Sequence, residues 1–155
     1  MSLRDQITED LKNAMRAKDG LTLSTLRLVQ AAIKDRDIAA RAEDRCQGCE
    51  DGEILALLQK LVKQREESAD TYESAGRLDL AERERAEAEI VRAYLPTPMC
   101  EQEIEQAAET VVDELGATGL KDMGKCMGTL KQRYTGRMDF SKAGETIKTL
   151  LQGRA

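Results

Sequence analysis

Two cysteines three positions apart are the residues whose spacing most directly suggests chemistry. Cys46 and Cys49 form a CxxC pair in a polar stretch with two glycines, a composition typical of a loop. Such a pair supplies half of a zinc site or a redox-active dithiol. A complete four-ligand site would need the isolated Cys100 and Cys126, because the chain has no second CxxC. We therefore interpret these residues as solvent-facing loop cysteines and predict no bound metal.

Most catalytic centres depend on residues and motifs that this sequence lacks. It contains no histidine, which excludes histidine triads, histidine general bases and the usual histidine metal sites. Neither phosphate-binding motif, GxxxxGK[ST] or GxGxxG, occurs. We therefore predict no cofactor and no catalytic residue, and we do not expect independent catalysis.

Two carboxylates and one arginine can meet inside a predicted helical hairpin. The connection near Gly76 is short, so the helices on either side of it should run antiparallel. That register places Arg65 opposite Glu84 and Glu87. Paired acids can perform acid–base catalysis, but no cleft is predicted around them. We therefore predict a structural ion pair between Arg65 and Glu84 or Glu87.

Charge is distributed unevenly along a chain whose net charge is −5. Residues 96–116 hold six acidic residues and no basic one. Residues 117–155 hold eight basic residues against three acidic ones, a net charge of +5. The last quarter of the chain is therefore the part most suited to an anionic partner.

A helix predicted from Lys121 to Gln132 separates apolar residues from glycines and cations. At 100° per residue, Gly124 and Gly128 lie opposite the apolar side. A glycine inside a helix costs about 1 kcal/mol relative to alanine, so something should approach the backbone there. Two candidates are another helix of the same chain and the sugar–phosphate backbone of RNA. In the RNA interpretation, the glycines and the neighbouring cations form one binding surface, made of Lys121, Gly124, Lys125, Gly128, Lys131, Arg133, Arg137 and Lys142.

Apolar residues recur at helical spacing along most of the chain, and aromatic residues make up only 3% of it. These features predict an all-α fold. Pro96 and Pro98 mark a boundary between residues 1–95, a four-helix subdomain, and residues 96–155, a three-helix bundle. The first four helices are expected over about Leu3–Met15, Leu23–Ala40, Asp51–Tyr72 and Asp79–Tyr94. Ser2 should begin the first helix, and Asp19-Gly20 should end it.

The chain has no apolar run long enough to span a membrane, and its first residues lack the apolar segment of a secretory signal. We therefore expect no membrane partner and a cytoplasmic location. In the cytosol the four cysteines would be reduced.

Several of these segments, in this order, resemble YqeY-type proteins of the GatB/YqeY family. The segments that carry the resemblance are LRLVQAAIK at 26–34, VKQREES at 62–68, AGRLDLA at 75–81, YLP at 94–96, MGKCM at 123–127 and GRMD at 136–139. The resemblance implies a helical subdomain joined to a three-helix one. That three-helix part resembles the tail of the B subunit of the tRNA-dependent aspartyl/glutamyl amidotransferase, which contacts tRNA.

The resemblance suggests an accessory module that binds tRNA or a tRNA-handling enzyme. One alternative is a carbon–nitrogen ligase component that uses glutamine as the amido donor. Another is a protein–protein adaptor that uses the acidic N-terminal helices. The sequence identifies neither the RNA, the protein partner nor the oligomeric state.

Overall fold

A computed structural model describes residues 2–45 and 48–154 of the chain, and in this part it contains seven α-helices and no strand. The predicted all-α fold is confirmed. The helices are α1 (Leu3–Ala17), α2 (Gly20–Ala42), α3 (Asp51–Ser74), α4 (Leu78–Arg92), α5 (Glu101–Leu115), α6 (Met123–Tyr134) and α7 (Phe140–Arg154). A 3₁₀ turn, Leu120–Asp122, precedes α6.

The chain divides into two compact units, Met1–Leu95 and Pro96–Ala155. The first unit holds α1 to α4, and α3 and α4 form its helical hairpin around Gly76, which has a φ of +75°. Its core is built from one apolar stripe on each helix. The buried residues are Ile7, Leu11, Leu26, Val29, Ile33, Cys49, Ile54, Leu58, Val62, Ala88 and Val91.

The junction between α1 and α2 differs from the prediction. Ser2 caps α1 as expected, and its Oγ accepts a hydrogen bond from Asp5 N at 3.1 Å. Helix α1 ends at Ala17, where Lys18 has a φ of +56° and Asp19 N donates a hydrogen bond of 3.0 Å to Ala14 O. The carboxylate of Asp19 also begins the next helix, because it caps α2 by accepting from Thr22 N at 3.2 Å. A short acidic side chain suits a helix start because it satisfies free N–H groups.

The second unit packs α5, α6 and α7 around a core of its own. That core contains Ile104, Ala107, Ala108, Val111, Val112, Ala117, Cys126, Leu130, Met138, Ala143, Ile147 and Leu151. The predicted helix from Lys121 to Gln132 begins later than expected, at Met123, and ends at Tyr134. Lys121 lies in the 3₁₀ turn, so the 100° spacing does not apply to it.

Candidate nucleic-acid interface

The outer face of α6 exposes backbone at two glycines. Gly124 and Gly128 are both exposed, and a Cβ atom built on either would meet no contact within 4 Å among the described residues. Neither α5 nor α7, the other helices of the second unit, therefore packs closely on this backbone. The opposite side of α6 buries Cys126 and Leu130 in the core of the second unit.

A third glycine of the same unit shows the contrasting arrangement. A Cβ atom on Gly144 of α7 would lie 3.8 Å from Met127 Cε and 3.9 Å from Met123 Cε, both on α6. Gly144 therefore has a packing neighbour within the fold. Gly124 and Gly128 have none within the second unit, so the packing of its three helices does not explain them.

Three lysines accompany the exposed glycines. Lys121, Lys125 and Lys131 are solvent-exposed, and in the described part of the chain none of them makes an ion pair. We call these three lysines together with Gly124 and Gly128 the α6 face. It presents cationic side chains beside bare backbone.

The remaining three basic residues of the predicted RNA surface have partners within their own unit. Arg133 Nη2 lies 2.7 Å from Glu114 Oε2 on α5. Lys142 Nζ lies 3.6 Å from Glu101 Oε1. Arg137 Nε donates a hydrogen bond of 3.3 Å to the carbonyl oxygen of Thr97. These three side chains are therefore less available to a phosphate than the lysines of the α6 face.

The segment that begins the α6 face nearly matches a phosphate-binding loop. Gly119, Gly124 and Lys125 have the spacing of GxxxxGK, but Cys126 occupies the position of the Ser or Thr. That cysteine is fully buried in the core, and the segment forms a 3₁₀ turn and a helix start. The described residues provide no strand before it, so this is not a nucleotide cradle.

The α3–α4 hairpin brings Arg65 to one of its two predicted partners. Arg65 Nε lies 3.3 Å from Glu87 Oε2, and the two side chains are 15% and 10% exposed. The other carboxylate oxygen of Glu87 lies 3.3 Å from Arg83 Nε. Glu84 makes no ion pair in the described part of the chain and lines an open cleft with Arg65 and Tyr72. The cleft encloses about 600 Å³.

A second polar cluster, centred on Asp37, was not predicted from the sequence. Both Asp37 oxygens pair with the Arg4 guanidinium, at 2.7 and 2.9 Å, and Oδ1 also accepts from Cys49 N at 2.9 Å. Gly48 has a φ of +82°, and a Cβ atom there would lie 2.5 Å from Asp37 Oδ1. One feature of the sequence could have predicted this cluster. Asp37 lies one turn beyond Ile33 on the buried stripe of α2, and a carboxylate in such a position requires a hydrogen-bonding or charged partner.

The environment of this cluster sets the protonation of its members. Hydrogen bonds from Arg4 hold the pKa of Asp37 well below its usual range. Cys49 was predicted to face solvent, and this was wrong, because its side chain is buried in the core of the first unit. Burial, followed by the hydrogen bond to Asp37, raises the pKa of the Cys49 thiol, so Cys49 is not an activated thiolate. Cys46 lies outside the described residues. Among those that are described, no group of three or more His, Cys, Asp or Glu side chains could hold a metal ion.

No helix of the described part combines the length and apolar character needed to cross a bilayer.

The family is settled by a match between residues 4–151 and the family model described as Yqey-like protein. The chain belongs to the YqeY-like family. The resemblance drawn from the sequence segments is therefore confirmed.

The chain is similar to several fungal proteins named "Altered inheritance of mitochondria protein 41, mitochondrial". The protein of Pyrenophora tritici-repentis is 30% identical over 135 residues, covering 85% of this chain and 71% of that protein. The protein of Lachancea thermotolerans is 35% identical over 111 residues, covering 70% of this chain and 57% of that protein. The protein of Eremothecium gossypii is 34% identical over 115 residues, covering 72% and 60%. The chain thus spans about 57 to 71% of the length of these relatives.

The names of these relatives contradict the expected cytoplasmic location. All three are described as mitochondrial, so the prediction was wrong. It rested on the absence of apolar segments, which argues only against secretion and membrane insertion. Mitochondrial transit segments are amphipathic and rich in Arg and Ser, so low hydropathy does not distinguish the two compartments.

Proposed function

We propose that this YqeY-family chain is an accessory module that binds tRNA through the α6 face. The observation that carries the proposal is the pair of exposed glycines, Gly124 and Gly128, flanked by three unpaired lysines. A phosphate group can approach helical backbone closely only where no side chain intervenes. Lysine ammonium groups on either side supply the opposing charge.

The distribution of charge within the second unit favours an approach of a polyanion to α6 rather than to α5. The α5 carboxylates Asp113 and Glu114 bind Arg154 and Arg133, and Glu101 binds Lys142. A polyanion would be repelled by the acidic α5, which carries six carboxylates. The three lysines of the α6 face are exposed and make no ion pair among the described residues, and in this unit the same holds for Lys148 on α7. The α6 face differs from Lys148 in placing several such cations beside exposed glycine backbone.

The resemblance of this unit to the amidotransferase tail supports tRNA over other polyanions. A tail that contacts the body of tRNA reads shape and backbone more than base sequence, as is general for double-stranded RNA. Lysines and bare backbone suit that mode, because neither presents a base-specific hydrogen-bonding pattern.

The proposal is tested by titrating the full chain with unfractionated tRNA at several salt concentrations. Lys121→Glu with Lys125→Glu should reduce affinity at least tenfold at low salt. It should also reduce the slope of log affinity against log salt by about 1 to 2, because each lost phosphate contact releases about one counterion fewer.

A matched control uses two exposed lysines of α3, Lys60 and Lys63, which also make no ion pair among the described residues. Lys60→Glu with Lys63→Glu makes the same change in net charge outside the α6 face. It should reduce tRNA affinity by less than threefold. Equal losses in the two double variants would show that binding reflects net charge alone, and would contradict the proposal.

A further inference from the structure

The side of α2 that points away from the core exposes two large apolar side chains. Leu28 is 54% exposed and Ile38 is 63% exposed, among the highest values for large apolar residues in the described chain. The opposite side of the helix buries Leu26, Val29 and Ile33 in the core of the first unit. Neither Leu28 nor Ile38 belongs to that core.

The residues around these two side chains follow a coiled-coil spacing. Successive steps of four and three residues along α2 define one line of positions, which we call the α2 seam. Its members are Ser24, Leu28, Ala31, Asp35, Ile38 and Ala42. Alternating steps of four and three residues define positions a and d of the seven-residue coiled-coil repeat. Side chains at these positions insert between side chains of the partner helix. The seam extends over about 27 Å at 1.5 Å per residue.

A row of positive charge follows one flank of the α2 seam. Arg27, Lys34 and Arg41 recur every seven residues, each immediately before a seam position. All three are exposed, and none makes an ion pair within the described part of the chain. Their positions are those at which charges select the partner of a coiled coil.

The α2 seam does not suit a second copy of this chain. A parallel copy would place Asp35 against Asp35 and would set the cations against Ala32 and Ala39. An antiparallel copy would bring the two rows of cations together. Like charges at these positions oppose pairing, so charge complementarity requires a different helix.

We propose that the α2 seam is a docking surface for an amphipathic helix of a partner protein that carries an acidic row. Leu28 and Ile38 would insert between apolar residues of that helix, while the small seam residues allow close approach. Glutamate or aspartate on the partner would pair with Arg27, Lys34 and Arg41. Asp35 lowers the affinity and fixes the register, as a polar seam residue does in other coiled coils. This inference is independent of the α6 face.

The probe for the experiment is a labelled three-heptad peptide with leucine at its a and d positions and glutamate at its e and g positions. A second peptide carries lysine in place of every glutamate. Fluorescence anisotropy with the full chain should show at least tenfold tighter binding of the acidic peptide. Leu28→Glu with Ile38→Glu should weaken that binding at least tenfold. Leu78→Glu on α4, at a residue 59% exposed, should leave it unchanged.

Charge reversal tests the flank of the seam. Arg27→Glu, Lys34→Glu and Arg41→Glu together should make the chain prefer the basic peptide. Arg36→Glu, an exposed change on α2 outside the seam and its flank, should preserve the preference for the acidic one. Circular dichroism of the charge-reversal variants should show the same helix content as the unmodified chain.

Ala31→Glu changes a single exposed seam position. It replaces the Leu28 and Ile38 double variant in the peptide-binding test if that double variant does not fold.

Three results would overturn the proposal. The first is equal binding of the two peptides by the unmodified chain. The second is acidic-peptide binding that persists in both the Leu28/Ile38 variant and the Ala31 variant. The third is displacement of the peptide by tRNA or by a second copy of the chain, which would assign the seam to that ligand.

Discussion

Arginines of the α3–α4 hairpin and lysines of the α6 face show two different uses of positive charge. All five arginines from α3 to the end of α4 pair with carboxylates in the structure: Arg65, Arg77, Arg83, Arg85 and Arg92. The α6 face leaves its three lysines unpaired among the described residues and places them beside two exposed glycines. We infer that the hairpin arginines serve the fold and that the α6 lysines serve a ligand.

The largest effect on stability is expected at the most completely satisfied carboxylate, Asp37. Asp37→Ala would leave the partly buried Arg4 guanidinium and the Cys49 N–H without their acceptor. The free energy of unfolding in urea should fall by about 2 to 4 kcal/mol. Asp35→Ala, on the exposed side of the same helix, should change it by less than about 0.5 kcal/mol. Similar effects for the two variants would remove the distinction between paired and unpaired charge on α2.

The contribution of Asp37 should also depend on pH. Hydrogen bonds from Arg4 lower its pKa in the folded state, so unfolding binds a proton once the pH falls below the unfolded pKa of about 3.9. The stability difference between the unmodified chain and Asp37→Ala should be constant from pH 7 to about 5 and should decrease below about pH 4. Chemical denaturation at each pH measures it. A difference that increases toward low pH would contradict the assignment.

Loss of the largely buried Arg65–Glu87 pair in the hairpin should have the next largest effect. Arg65→Ala leaves Glu87 with only Arg83, whose side chain is 63% exposed, so we expect a loss of about 1 to 3 kcal/mol. Arg77→Ala, which breaks an exposed pair with Asp79, should cost less than about 1 kcal/mol. Thermal or urea unfolding of the two variants side by side provides the measurement. A smaller loss for Arg65 than for Arg77 would show that burial does not govern these pairs.

The smallest effect is expected on the α6 face itself. Lys125→Ala removes an exposed charge without an ion-pair partner among the described residues, so the free energy of unfolding should change by less than about 0.5 kcal/mol. Binding of tRNA should nevertheless weaken by about threefold to tenfold, the usual effect of losing one phosphate contact. A large loss of stability would place Lys125 in the fold rather than at an interface.

Sequence periodicity predicts contacts that are local or that follow from a short turn. The tight connection at Gly76 sets the register of α3 against α4, and the facing positions of Arg65 and Glu87 follow from it. The Arg4–Asp37 pair could not be read in this way, because 33 residues separate its members. Its geometry depends on how α1 packs on α2 and on the path of the chain through Gly48 and Cys49.

Periodicity also predicts which side of α6 is apolar, but it does not predict which basic side chains form ion pairs with carboxylates of neighbouring helices. Arg133 and Lys142 are paired with Glu114 and Glu101 because α5 packs beside α6 and α7, an arrangement that single-helix patterns do not contain. The late start of α6 has a local cause that periodicity ignores. Asp122 accepts a hydrogen bond from Thr118 N at 3.1 Å and closes the turn before the helix.

Titration of Gly128→Leu with tRNA separates folding from binding at the α6 face, because stability and tRNA affinity should change in opposite directions. Leucine favours a helix over glycine by about 0.5 to 1 kcal/mol, and there is open space at this position, so the melting temperature should rise. The added side chain should reduce tRNA affinity at least tenfold. Gly52→Leu, at an equally open glycine of α3, should leave tRNA binding unchanged. Unchanged tRNA affinity in Gly128→Leu would show that tRNA does not approach the helix backbone at Gly128.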